Sequence, residues 1–174
     1  DIFNILSKVF SKGQFILGEE VDKFEKNICK FLKVKNCVAL NSGTDALVIG
    51  MHLLGIKKND EVITPPNSFV ASTAAIVHLG AIPVFADVKE DQNIDPMDIE
   101  KKINKRTKAI MPVHLSGYPC EMDKIIKISK KYQIPVVEDA AQSIGTKYKD
   151  KFVGTFGEVG CFSAHPLKNL NAIG

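Results

Sequence analysis

Short apolar runs alternate along this chain with longer segments whose apolar residues recur at helical spacing, and that alternation limits the fold more than any other feature. The runs "CVAL" (37–40), "EVIT" (61–64), "PVFADV" (83–88), "KAIMPV" (108–113) and "PVVED" (135–139) read as strands. Between them fall predicted helices over 19–32, from "NSGTDALVIGMHLLG" to a glycine stop at Gly55, and over 69–79, 95–103 and 121–132. In the first, Val21, Phe24, Ile28, Phe31 and Leu32 share one face. Asp95 followed by Pro96 is a capping residue with a proline at the first turn. Most of the strands are apolar throughout, with little in-out alternation, so both faces of the sheet must be covered. The expected fold is α/β, a three-layer arrangement in which helices flank a mostly parallel sheet on both faces. No repeat and no linker interrupts residues 1–174, which read as one domain.

Composition excludes several classes. A net charge of +3, from 23 basic and 20 acidic residues with no long basic run, gives no footprint for nucleic acid. No uninterrupted apolar stretch approaches the roughly 18 residues of a membrane span. Cys29, Cys37, Cys120 and Cys161 form no CxxC pair and no zinc spacing with the histidines. They are expected to be free, mostly buried thiols of a reducing compartment, which points to the cytoplasm.

Parallel sheets bind ligands beyond the carboxyl ends of their strands. Three features fall there. Ser42-Gly43-Thr44-Asp45 places a glycine among polar residues at a helix start, where open N–H groups and the helix dipole suit a phosphate. Taken alone, the same residues are better explained as an N-cap. No GxGxxG follows a strand and no GxxxxGK[ST] is present, so neither a dinucleotide cradle nor a P-loop is indicated. Asp139 ends the apolar run "PVVED", where a buried carboxylate needs a cation or hydrogen-bond donors. Glu138 alternates to the opposite face and is the weaker candidate. Lys168 sits in "CFSAHPLKNL", among small and apolar residues. An isolated lysine is normally a solvated loop residue, but one placed in apolar surroundings is a nucleophile.

A phosphate seat, an acid at a strand end and a downstream lysine are together what pyridoxal 5′-phosphate requires. The phosphate anchors it, the acid keeps the pyridine nitrogen protonated, and the lysine forms a Schiff base. Phe69 offers a flat face for the ring. His114 and His165 could also face the cleft, though each is as readily a histidine that shapes its loop. Cys161 reads as packing.

"ILGEEVDKFE" (16–25), "NSGTDAL" (41–47), "DEVITPPNSFVAS" (60–72), "GAIPVFADV" (80–88), "KAIMPVHLSG" (108–117), "VVEDAAQSIGTKYKDKFVG" (136–154) and "GCFSAHPLKNL" (160–170) resemble, in order, the nucleotide-sugar aminotransferases of the DegT/StrS type, within the fold-type I pyridoxal-phosphate enzymes. The resemblance implies that Lys168 is the Schiff-base lysine and Asp139 the partner of the pyridine nitrogen. It implies that Gln142 meets the phenolic-oxygen side of the ring and Phe69 stacks on it. Gly43, Thr44 and Asp45 match the backbone phosphate seat, and Ser163 the serine that also contacts it. The implied reaction moves an amino group from an amino acid, glutamate foremost, to a keto group of a nucleotide-linked sugar. A homodimer is implied as well. Sugar dehydratases of the same family carry histidine where Lys168 stands, which argues against that chemistry; a regulatory relative without turnover is the other alternative.

The resemblance further implies a longer protein, continuing past Lys168 into another strand and a small C-terminal domain. The chain opens on Asp1 rather than methionine and closes at Gly174. Residues 1–174 are thus expected to be an incomplete large domain, inactive by itself and prone to association through uncovered apolar surface.

Overall fold

The computed structural model describes residues 2–172. They fall into two compact units, one up to Ala39 and the other from Leu40 onward. The first unit holds α1 (Ile2–Lys12) and α2 (Glu19–Leu32). Glu19, Glu20 and Asp22 lie in the first turn of α2, where the helix dipole favours acids. Lys33 ends the helix in the left-handed conformation, and the N–H of Val34 returns to the Cys29 carbonyl. The apolar face read from the sequence is helical as expected, but within it only Leu32 is buried; Phe24 and Phe31 are exposed.

The second unit is the α/β layer structure. Its elements are α3 (Gly43–Leu53), β1 (Glu61–Thr64), α4 (Val70–His78), β2 (Ile82–Phe85), α5 (Pro96–Lys102), β3 (Thr107–Ile110), α6 (Met122–Tyr132), β4 (Val137–Asp139), β5 (Lys147–Tyr148), β6 (Lys151–Phe152) and β7 (Val159–Cys161). Ladders join β2-β1-β3 and β4-β7 in parallel. Parallel bridges Ile110↔Val136 and Val113↔Asp139 connect the two sets, giving the order β2-β1-β3-β4-β7. β5 and β6 form a small antiparallel hairpin.

Consecutive strand residues divide between two cores. Val62, Ala109, Met111 and Val137 pack with Leu47 and Met51 of α3 and Ala75 and Ile76 of α4. Ile63, Ile110 and Val136 pack on the other face with Ile99 of α5 and Ile125 and Ile128 of α6. Every residue of β1 and β4 is buried, which is why these runs carry no polar alternation. Each large aliphatic side chain so buried contributes about 1.5–3 kcal/mol. Asp95 caps α5 by accepting the Met97 N–H, with Pro96 at the first turn, as the sequence reads.

Two expectations need correction. Residues 37–40 are not a strand: among the described residues they have no ladder partner, and Val38 and Leu40 are exposed. A β-branched apolar run becomes a strand only when a neighbour takes its N–H and C=O groups. Conversely β7, "VGC", was not anticipated. Gly160 is there because a Cβ would collide with the Gly154 carbonyl, so β7 lies backbone-close against the turn after β6.

Candidate active site

The residues singled out as site candidates lie in the second unit, at or after the carboxyl ends of β3, β4 and β7 or at the starts of α3 and α4. At α3, Ser42 is the N-cap: its Oγ accepts the Asp45 N–H at 3.0 Å, and its hydroxyl donates to the Asp45 carboxylate at 2.8 Å. Asp45 is thereby committed to the cap. The N–H groups of Gly43 and Thr44 meet no acceptor among the described residues, which leaves an anion seat of two amides at the head of an 11-residue helix. Gly43 suits a close approach: a Cβ would stand 3.0 Å from Ser163 Cβ and 3.2 Å from the Phe162 carbonyl, tight enough that a neighbour would have to give. Ser163 is thus brought against the seat. Its Oγ accepts the His165 N–H at 3.3 Å, so its hydroxyl proton is available to an anion.

Asp139 is 5% exposed. Oδ2 accepts the Ser72 hydroxyl at 2.7 Å, and Oδ1 accepts the Ala141 N–H at 3.1 Å. Among the described residues no Lys, Arg or His lies within ion-pair distance of it. A buried carboxylate held by two neutral donors keeps acceptor capacity for a cationic N–H, which a protonated pyridine supplies. Gln142 follows on the turn after β4; its Oε1 accepts the Ser116 N–H at 3.0 Å, so its amide N–H₂ remains as the donor.

Lys168 is half-buried in a turn closed by the Lys168 N–H to His165, Asn171 N–H to Lys168 and Ala172 N–H to Ala164 carbonyls. Its Nζ stands 5.8 Å from the centre of the Phe69 ring. Phe69 is the N-cap residue of α4, so the helix begins at Val70, one residue later than expected, and the Phe69 ring is exposed. The structure thus joins Lys168 to Phe69 and Gly43 to Ser163. No direct contact ties Gln142 to Asp139 or Asp45 to Ser163 among the described hydrogen bonds.

Glu138 does alternate to the opposite face, as expected. Its role there has no signature in the sequence. Fully buried, it accepts N–H bonds from Gly154 at 2.7 Å, Phe156 at 2.6 Å and Gly157 at 2.7 Å, and it meets His114 Nε2 at 3.0 Å. His114 Nδ1 accepts the Cys120 N–H at 3.1 Å, so Nε2 carries the proton and donates to Glu138. His114 therefore sits in this buried network and not in the cleft. His165 shapes its own loop by accepting the Leu167 N–H on Nδ1. Ser72 was also missed; a serine inside the apolar segment "FVASTAA" was the available signal.

All four cysteines are free, Cys120 and Cys161 being buried. Burial, with Asp139 and Glu138 nearby, pushes the Cys161 thiol up to about 12, which makes it packing material rather than a nucleophile. Among the described residues no group of His, Cys, Asp and Glu is placed to hold a metal ion, and no helix is long and apolar enough to cross a membrane.

These features define a parallel α/β domain with two open amides at a helix start, a buried acid at a strand end and a lysine in the loop after β7. The chain belongs to the DegT/DnrJ/EryC1/StrS aminotransferase family, whose profile matches residues 1–174. It is 40% identical, over all of its length and 47% of the other protein, to the pleiotropic regulatory protein of Geobacillus stearothermophilus. It is 43% identical, over 97% of its length and 47% of the other, to the UDP-2-acetamido-2-deoxy-3-oxo-D-glucuronate aminotransferase of Pseudomonas aeruginosa. Its fold matches the S. venezuelae DesV crystal structure in complex with a ketimine intermediate (TM-score 0.91, 37% identity, 97% of this chain and 46% of that one). It also matches NtdA from Bacillus subtilis with bound cofactor PMP (TM-score 0.84, 39% identity, 88% and 35%). The chain spans about half the length of the curated relatives it matches.

Proposed function

We propose that the chain is the cofactor-binding part of a pyridoxal 5′-phosphate-dependent aminotransferase. The whole protein moves an amino group from an amino acid, glutamate foremost, to a keto group of a nucleotide-linked sugar. The observation that carries this reading is the Lys168 amine over the Phe69 ring, on the strand-end side where the Asp139 carboxylate lies buried with no cation in ion-pair distance among the described residues. The name of the Pseudomonas relative supports the substrate class, and the NtdA structure supports the cofactor.

Bound there, pyridoxal phosphate supplies an electron sink for the α-carbon of an amino substrate. Gly43 and Thr44 N–H groups and the Ser163 hydroxyl hold its phosphate, with Asp45 fixing the cap beneath. Asp139 holds the proton on the ring nitrogen. Gln142 donates its amide N–H to the phenolic oxygen, and Phe69 covers one ring face. Lys168 anchors the cofactor covalently and carries the proton to and from the substrate α-carbon.

Residues 1–174 then form most of the large domain of a cytoplasmic homodimer, and alone they lack turnover. The test is borohydride reduction of the full-length protein loaded with pyridoxal phosphate, followed by peptide mapping. The adduct is expected on Lys168; an adduct on another lysine overturns the assignment. A panel of amino donors and nucleotide keto-sugars then reads the reaction.

A second reading, a regulator that keeps the fold without turnover, is favoured by the name of the Geobacillus relative. It would give cofactor binding with no amino transfer to any keto-sugar.

A further inference from the structure

We infer that Ser72 is a positioning residue for the ring-nitrogen acid, a role that rests on the cofactor reading above. Ser72 is 1% exposed in the first turn of α4 and lies 67 positions from Asp139 in sequence. Its Oγ stands 2.7 Å from Asp139 Oδ2. An ionised carboxylate has no proton to give, so the hydroxyl donates. Serine at this place in a helix usually turns to a nearby backbone group. Among the described hydrogen bonds this hydroxyl goes only to Asp139.

The carboxylate is held at two points of different origin. Oδ1 is fixed by the Ala141 N–H, two residues further along its own strand end. Oδ2 is fixed from α4, a separate element. With only the Ala141 bond the carboxylate could rotate about its Cβ–Cγ axis. With both bonds its plane is set, and its remaining lone pairs have one direction. The same helix start also sets Phe69, whose carbonyl accepts the Ser72 N–H at 3.2 Å. One turn of backbone therefore places both the stacking ring beside Lys168 and the hydroxyl that orients Asp139. Ser72 touches no reacting atom; it acts through Asp139.

The experiment uses full-length protein carrying Ser72→Ala, Ser72→Cys and Ser72→Thr, each alone and in the Asp139→Asn background. The readouts are the pyridoxal phosphate dissociation constant by equilibrium dialysis, the pH titration of the bound cofactor's visible absorbance, and kcat and KM for the amino donor. Loss of a hydrogen bond to a charged group is expected to weaken cofactor affinity about tenfold in Ser72→Ala and Ser72→Cys. The pH midpoint of the absorbance should shift, and kcat should fall with donor KM unchanged. Ser72→Thr, which keeps the hydroxyl, should stay near wild type. In the Asp139→Asn background Ser72→Ala should add nothing. Wild-type affinity and pH profile in both Ser72→Ala and Ser72→Cys, or the same loss in both backgrounds, would overturn the role of Ser72 while leaving the cofactor reading in place. A wild-type protein that takes up no pyridoxal phosphate would overturn the reading and the inference together.

Discussion

Glu138→Gln is expected to be among the most destabilising single-atom changes available in this chain. The Glu138 carboxylate stands among four N–H donors: Phe156 and Gly157 on one oxygen, Gly154 and His114 Nε2 on the other. All four need an acceptor. Glutamine offers one oxygen and one N–H₂. Whichever way the amide is turned, two buried donors face a third donor. His114 cannot relieve this by changing tautomer, because its Nδ1 already accepts the Cys120 N–H at 3.1 Å. Each unsatisfied buried donor costs about 1–3 kcal/mol, so the substitution should cost about 2–6 kcal/mol. That is a large part of the roughly 5–15 kcal/mol that holds a domain folded. The assay is urea unfolding of the full-length protein followed by circular dichroism. Glu121→Gln, which weakens surface pairs with Lys89 and Lys124, is the control and should cost no more than about 1 kcal/mol. A Glu138→Gln protein as stable as the control would show that the carboxylate is not what holds the 154–157 turn.

Asp139→Asn should leave the fold intact and remove most turnover, since an amide cannot hold a pyridinium proton; each tenfold loss is about 1.4 kcal/mol of barrier, and a near-wild-type rate would exclude the role. Gly43→Ala should weaken pyridoxal phosphate binding, because the added methyl needs the space held by Ser163 and Phe162; unchanged affinity in a binding titration would refute the close-approach argument. Tyr148 donates to Asp123 at 2.6 Å; that bond first and burial second push its phenol up to about 12, while the same bond and Lys149 hold the Asp123 carboxyl down at about 2. The raised phenol's stabilisation is present below an ordinary tyrosine value of about 10 and is lost as pH rises through its folded value. The lowered carboxyl's is present above about 3.9 and is lost as pH falls toward its folded value. Ultraviolet titration should therefore show Tyr148 ionising above the ordinary tyrosine range, and an ordinary midpoint would refute the pairing.

The order of strands and helices was legible because it is written in near neighbours. Asp95-Pro96 announces a helix start in two residues, and "EVIT" announces a doubly buried strand in four. The positions after the strands, and Lys168 in its small-residue loop, were legible for the same reason. The run "CVAL" shows the limit: its side chains suit a strand, but pairing belongs to the neighbour, and among the described residues none pairs with it. β7 shows the converse, two of its three residues being a glycine and a cysteine that no propensity marks as strand. By itself, then, the sequence determined which residues are chemically able to act and at which end of the sheet they stand. Only the tertiary structure decided their partners: Ser72 on Asp139, Phe69 beside Lys168, Ser163 against Gly43, and four donors on Glu138. Those contacts join residues far apart in the chain, and their geometry follows from the strand order β2-β1-β3-β4-β7 and its register. That order is set by burial shared over both cores, which no local stretch of sequence contains.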